Sequence, residues 1–394
     1  MTWTDRLLFL GVAAVVVAPG GEAHAAPSPD PRPACGTALA ARAIPPGPAA
    51  LERLDAAARR VVADGEVPGL AVGLVRQGRL VFTRGYGLAD LEQGIPVTPD
   101  TVFRIFSVTK IFTAAAVMQL VERGQLGLDD PLARFVPEFP RAHEITIGQL
   151  LSHISGIHDY AGSSRVLEQA GATPDELVRH IAAQPVLFDF APQTRWSYSN
   201  SNYVLLGLIV ERVSGRPYHE YLAAHVFPPA GLVRTRVDNG IDLVPGRASG
   251  YVPDPRRRGA FVHGPHLDMS SVYAAGALLS TVPELAAWFT AFFAGRIVGR
   301  RAVEKMLAPA RLRDGSVAGP PGTAAFYGLG LRSYCLDGQR AIGPGGSFST
   351  FSAKVTYYPE TELVLVVLTN TGGKAAELEE RLARILFASG SERR

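Results

Sequence analysis

Between Arg104 and Glu122 the chain carries one ionisable side chain, Lys110, in the run Ile105-Phe106-Ser107-Val108-Thr109-Lys110-Ile111-Phe112-Thr113-Ala114-Ala115-Ala116-Val117-Met118. The pattern predicts a long helix from about Ser107 to Arg123, stopped by Gly124. A helix that is apolar on every side has no face to offer water, so it must be surrounded by the rest of the fold. Burial disfavours the charged form of a lone lysine and lowers its pKa. Ser107 lies three residues earlier, on the same face and one turn away. A hydroxyl beside such an amine is a nucleophile with its base. At the start of a helix the serine would also stand among free N–H groups able to hold an oxyanion. The plain alternative is an N-capping serine and a lysine that snorkels to the surface. The spacing S-x-x-K is common by chance; its place in an uncharged helix is what gives it weight.

The rest of the chain supplies a body for that helix. With 394 residues, 47% of them hydrophobic and 19% charged, it can bury a large core, and length suggests one large domain or two interleaved ones. Helical spacing predicts an amphipathic helix over Leu51–Val62, and others over Val282–Ala294 and Ala375–Phe387. Gly69–Arg76 and Arg79–Tyr86, joined by Gln77-Gly78, read as a β-hairpin. Gly345–Tyr357 and Thr361–Thr369 read as two antiparallel strands joined by Pro359-Glu360. Residues 146–224 are mostly helical in pattern, while 253–267 and 311–325 read as loops, with Arg256-Arg257-Arg258 a solvated turn. The expected fold class is therefore α/β (α+β): an antiparallel sheet built from both chain ends, flanked by helices, with an inserted mainly helical region. The expected division is residues 50–394 as the folded domain, its α/β part about 50–125 and 266–394, its helical part about 126–265.

The N-terminal residues differ. Arg6 precedes the apolar run Leu7–Ala18, followed by Pro19-Gly20-Gly21 and the small-x-small site Ala23-His24-Ala25. Twelve apolar residues are too few for a span of about 20, so residues 1–25 are expected to be a signal peptide for secretion or export to the periplasm. Residues 26–49 form a Pro-rich leader. Cys35 lies in it, and Cys335 far away in the body; a disulfide or two free thiols both remain open. The net charge of +3 reflects 39 basic against 36 acidic residues, with no basic stripe to bind nucleic acid. The nine histidines show no HExxH or CxxC spacing, so no metal is expected. No later segment suggests a membrane span.

A second signal is Trp196-Ser197-Tyr198-Ser199-Asn200, in a turn before the helical run Val204–Val213. Tyr198 and Asn200 are two apart and could enter one cleft, where a phenol near a lysine ammonium ionises more easily. Taken alone, a packing Tyr and an N-capping Asn would be the better explanation. Phe103-Arg104-Ile105-x-Ser107-Val108-Thr109-Lys110 followed by Tyr198-Ser199-Asn200 resembles the serine β-lactamase and penicillin-binding-protein-like hydrolases. The similarity is to the branch of class C β-lactamases, D-Ala-D-Ala carboxypeptidases and esterases. Leu150-Leu151-Ser152-His153-Ile154-Ser155-Gly156, Pro229-Ala230-Gly231-Leu232 and Tyr327-Gly328-Leu329-Gly330 extend it over roughly residues 50–375.

The resemblance implies that Ser107 is acylated, that Lys110 and Tyr198 move the proton, and that Asn200 holds the substrate amide or the lysine. It implies an oxyanion hole of the Ser107 N–H and one from the sheet edge at Gly345-Gly346, with Gly346 as donor, and no cofactor. His153 is expected to be structural. The family's third motif, Lys or His, then Thr or Ser, then Gly, falls on Ile342-Gly343-Pro344-Gly345-Gly346. Gly343 is expected in the basic position and Pro344 in the hydroxyl position, the proline facing outward at a sheet edge. Arg340 would face the other side of the strand, and Phe106 is bulkier than expected beside the nucleophile. These departures favour an esterase-like hydrolase of a neutral ester or amide. The alternatives are a D-Ala-D-Ala carboxypeptidase, penicillin-binding protein or β-lactamase with a peptidoglycan-type peptide or β-lactam substrate, or a weakened protein that only binds cell-wall peptides.

Overall fold

The computed structural model describes residue 35, residues 47–162 and residues 171–388. The signal peptide expected over 1–25 lies outside the described residues, as does the leader apart from Cys35 and 47–49. Cys35 and Cys335 form a disulfide, with Cα atoms 5.6 Å apart.

Nine strands form the main sheet: β1 (Gly69–Arg76), β2 (Arg79–Asp90), β3 (Ile95–Pro96), β4 (Phe326–Tyr327), β5 (Arg332–Leu336), β6 (Gln339–Ile342), β7 (Gly345–Phe348), β8 (Phe351–Tyr358) and β9 (Leu363–Thr369). The order is β3-β2-β1-β9-β8-β6-β5-β4, with β7 also paired to β8. Every pairing is antiparallel. The sheet is thus built from both ends of the folded body, as the sequence pattern implies. Gln77 and Gly78 both adopt positive φ, 49° and 73°, the backbone that a two-residue hairpin turn needs.

Five longer helices matter for the site: α1 (Pro48–Ala63), α2 (Thr109–Glu122), α3 (Asn200–Ser214), α4 (Val282–Phe293) and α5 (Ala375–Ala388). The uninterrupted apolar run of β9 is explained by burial on both faces. Val364, Val366 and Leu368 face the core shared with α2 and α4, whereas Leu363, Leu365 and Val367 face the one shared with α1 and α5. Twelve of the fourteen α2 residues are buried, as expected for a helix without a polar face. The inserted region contains α3 and shorter helices at Ile147–Leu151, Pro174–Ala182 and Tyr218–Tyr221. Among the described residues, no helix is long and apolar enough to cross a membrane.

Two local expectations change. Gly345–Tyr357 is not one strand: Ser349-Thr350 form a tight turn, and β7 folds back on β8 with Phe348 opposite Phe351. Within 253–267, Phe261–His263 pairs with Tyr251–Pro253 as a small hairpin. Its connecting turn holds Arg256, whose guanidinium bonds Asp254 in solvent.

Candidate active site

Ser107 does not begin α2 as expected. It occupies a single 3-10 turn, Phe106–Val108, that leads into the helix at Thr109. Phe106 enters this turn with φ 44°, unusual for a bulky side chain. Its buried ring packs against Phe348, with centroids 5.7 Å apart. The turn is pressed onto the sheet: a Cβ at Gly346 would stand 2.1 Å from Ile105 O and 2.7 Å from Ser107 N. Only glycine permits that backbone contact.

One turn later, Lys110 is 1% exposed. Its Nζ lies 3.0 Å from Ser107 Oγ, 2.7 Å from Asn200 Oδ1 and 2.8 Å from Ala275 O. Burial lowers its pKa to about 7, against an opposing pull from the Asp159 charge. A neutral amine has two N–H bonds and one lone pair. Ala275 O can only accept, and so can Asn200 Oδ1, because Asn200 Nδ2 donates to the Asp159 carboxylate at 3.1 Å. Those two acceptors take the two hydrogens, so the lone pair is left facing Ser107. Asp159 also accepts from Asn200 N at 3.0 Å, which fixes the first turn of α3 against the lysine.

Tyr198 stands beside this pair, with Lys110 Nζ 4.8 Å from the centre of its ring. The sequence suggests a phenol that ionises readily, but the structure reverses this. Burial raises its pKa well above the usual range, the neighbouring Tyr327 adds to the rise, and an interaction with Ser107 only partly offsets it. Both effects favour the neutral phenol. His153 packs on its ring at 4.5 Å, and its Nδ1 accepts from Ser199 N at 3.2 Å. Burial, reinforced by the Lys110 charge, holds His153 well below its usual pKa, and as a neutral ring it positions the Tyr198 turn.

The third motif shifts by one residue. Gly346, rather than Gly345, meets the nucleophile's turn, which places Pro344 in the basic position and Gly345 in the hydroxyl position. Pro344 also faces differently from expectation. Val355 N donates to Pro344 O at 3.2 Å, so the proline points its backbone at β8 and its missing N–H falls on the paired side, not the open edge. The same alternation commits Gly346 N–H to Ala353, its register partner. It leaves the N–H groups of Gly345 and Ser347 on the open edge.

Ser107, Lys110 and Tyr198 line a pocket of about 350 Å³ whose far wall is Gly343, Pro344 and Gly345. Two cations also line it, Arg332 from β5 and Lys354 from β8. Sequence reasoning missed Lys354, because its pairing with Gly345 follows from a tight turn that the pattern did not reveal. It also missed Asp159. The only available sign was its closeness to His153 and Ser155 in a stretch already resembling the family. Among the described residues, no group of three His, Cys, Asp or Glu is placed to hold a metal ion.

The chain is also similar to known proteins along most of its length. PbpX of Bacillus subtilis (strain 168), named as a penicillin-binding protein, is 32% identical over 320 residues, covering 79% of this chain and 74% of its own. Esterase EstB of Burkholderia gladioli is 37% identical over 197 residues, covering 46% of this chain and 50% of its own. The solved structure of D-amino acid amidase from Ochrobactrum anthropi SV3 with L-phenylalanine matches with a TM-score of 0.75 at 26% identity, covering 86% of this chain and all of that one. The Beta-lactamase family model matches residues 54–389, and the chain belongs to that family of serine hydrolases.

Proposed function

We propose that this chain hydrolyses an ester or amide through an acyl-enzyme on Ser107, with an ester as the preferred substrate class. The observation that carries the reading is the buried Lys110 amine, 3.0 Å from Ser107 Oγ and 2.7 and 2.8 Å from the acceptors Asn200 Oδ1 and Ala275 O, which in its neutral form turns its lone pair to Ser107. Lys110 takes the Ser107 proton as Oγ attacks the carbonyl carbon. The oxyanion is held by Ser107 N–H and by an open-edge N–H of β7, that of Ser347. The bond to the leaving group breaks, Tyr198 protonates the departing atom, and the Lys110 ammonium returns a proton to Tyr198. Water then attacks the acyl-enzyme by the same relay in reverse and releases the acid, leaving Ser107 and Lys110 as they began.

Several observations support an ester over a β-lactam. Pro344 and Gly345 supply neither the basic nor the hydroxyl side chain of the third motif, and EstB is among the similar proteins. The protein lacking residues 1–25 is expected to release p-nitrophenol from p-nitrophenyl acetate, and Ser107→Ala to reduce the rate to background. Equal rates in the two would end this reading. Export belongs to the same proposal. N-terminal sequencing of protein recovered outside the cytoplasm should begin at Ala26, and an intact Met1 there would contradict it.

A further inference from the structure

Away from the catalytic pocket, three large aliphatic side chains in one short stretch stand almost wholly in water. Val233, Ile241 and Leu243 are 81%, 85% and 92% exposed, whereas no other large hydrophobic among the described residues exceeds 52%. Single exposed aliphatics are ordinary, but a cluster of them marks a contact surface. This cluster adjoins a groove of about 310 Å³ whose apolar wall is Ala223, Phe227, Val233 and Val237. Asp242, between the two exposed tip residues, lines the same groove. A hole and a projection therefore lie side by side on one face.

The projection is held in place by its own chain. Gly240 N donates to Asp238 Oδ1 at 3.0 Å, and Ile241 N and Asp242 N donate to Asn239 Oδ1 at 3.0 and 2.9 Å. Asp238 is buried and accepts from Arg104 Nε at 2.9 Å. A tip fixed in this way loses little freedom when it docks.

The charges of the groove indicate what docks there. Its lining holds one cation, Arg236, and one anion, Asp242, besides His219. Among the described residues neither Arg236 nor Asp242 forms an ion pair. An unpaired cation and an unpaired anion on one groove match the same groove turned about a two-fold axis, where residue i meets j and j meets i. Arg236 of one copy then faces the partner's Asp242, and the reverse. Each Ile241–Leu243 tip fills the hole beside the other.

We propose that this face joins two copies of the chain in a two-fold dimer. It bears on the catalytic site through a small sheet. Arg236–Val237 pairs with Leu278–Ser280, which pairs in turn with Phe103–Arg104 at the entry to the nucleophile's turn. A partner seated on the face holds the far edge of that sheet.

The test reads assembly and not turnover, so its outcome is independent of the hydrolase reading. Analytical ultracentrifugation of the protein lacking residues 1–25 should show a species of twice the chain mass that dissociates on dilution. Leu243→Asp should weaken the dimer about thirtyfold or more, the scale of a central anchor residue. Arg236→Asp and Asp242→Arg each set like charges against one another and should weaken it about tenfold. The double variant Arg236→Asp/Asp242→Arg should restore it, which excludes misfolding as the cause of the single effects. A monomer at every concentration would overturn the proposal. So would a dimer that none of these changes weakens, or a double variant weaker than both singles. A monomer that sediments with phosphatidylglycerol vesicles, and ceases to do so in Leu243→Asp, assigns the patch to a membrane surface and overturns it as well.

Discussion

The two walls of the pocket are built on opposite plans. On the α2 wall every polar atom that matters has a partner: Lys110 bonds Ser107, Asn200 and Ala275 O, and Asn200 is held in turn by Asp159. On the sheet wall the strand offers Gly343, Pro344 and Gly345 without functional side chains, and the cations behind it rest on the Tyr334 ring. The difference is between chemistry and choice. Groups that must react with one another are fixed by mutual hydrogen bonds, whereas the facing strand contributes backbone and open space.

The largest expected effect strikes the first wall. Lys110→Met keeps the stem but removes the base, and should lower kcat/KM on p-nitrophenyl acetate by about 10²–10⁴-fold. If the variant retained a tenth or more of the activity, the wiring of that wall would not be what drives acylation.

Next comes the seam between the walls. Gly346→Ala places a methyl against Ile105 O and Ser107 N and should cost about 1–3 kcal/mol in urea unfolding. Gly345→Ala meets only the Lys354 stem at 3.5 Å and should stay within about 0.5 kcal/mol of wild type. Equal costs would erase the distinction between a packed contact and an open wall.

A pH profile sharpens the contrast further. Lys110 must be neutral to take the proton, so kcat/KM should rise with pH through about 7. Asp159 raises the lysine's pKa. Removing its charge in Asp159→Asn lowers that pKa further, so the rising limb should move to lower pH as well as losing height. A limb that stayed in place or moved to higher pH would mean that another group titrates.

The smallest effect is expected at Arg256, far from either wall. Arg256→Ala, which removes only a solvent-exposed pair with Asp254, should leave the urea unfolding midpoint unchanged and ester hydrolysis at the wild-type rate.

What the sequence made legible follows the same division. The α2 wall is written locally: a lysine without charged neighbours, a serine one turn before it, and a Tyr-x-Asn pair. Helical spacing picks out Ser107 and Lys110, and the resemblance adds Tyr198 and Asn200; the structure brings the four side chains together. The sheet wall depends on strand register, and a shift of one residue changes which side chain faces which. Reading through the Ser349-Thr350 turn hid the pairing of Lys354 with Gly345 and placed the third motif one residue early. The nearby lysine that would ease ionisation of Tyr198 is visible in the sequence, but the packing of Tyr327 and His153 that buries the phenol and raises its pKa is not.

The sheet that joins the two ends of the folded body has a consequence for how the enzyme comes into being. β1 pairs residue by residue with β9, from Leu70 opposite Thr369 to Arg76 opposite Leu363, and everything that carries the chemistry lies between them in the chain. Such distant pairing makes for slow, high-contact-order folding. During synthesis the nucleophile's helix is made more than two hundred residues before its partners β7, β8 and β9. The reactive serine therefore gains its surroundings late, and a chain stopped before β7 would carry Ser107 and Lys110 without the wall that completes the pocket.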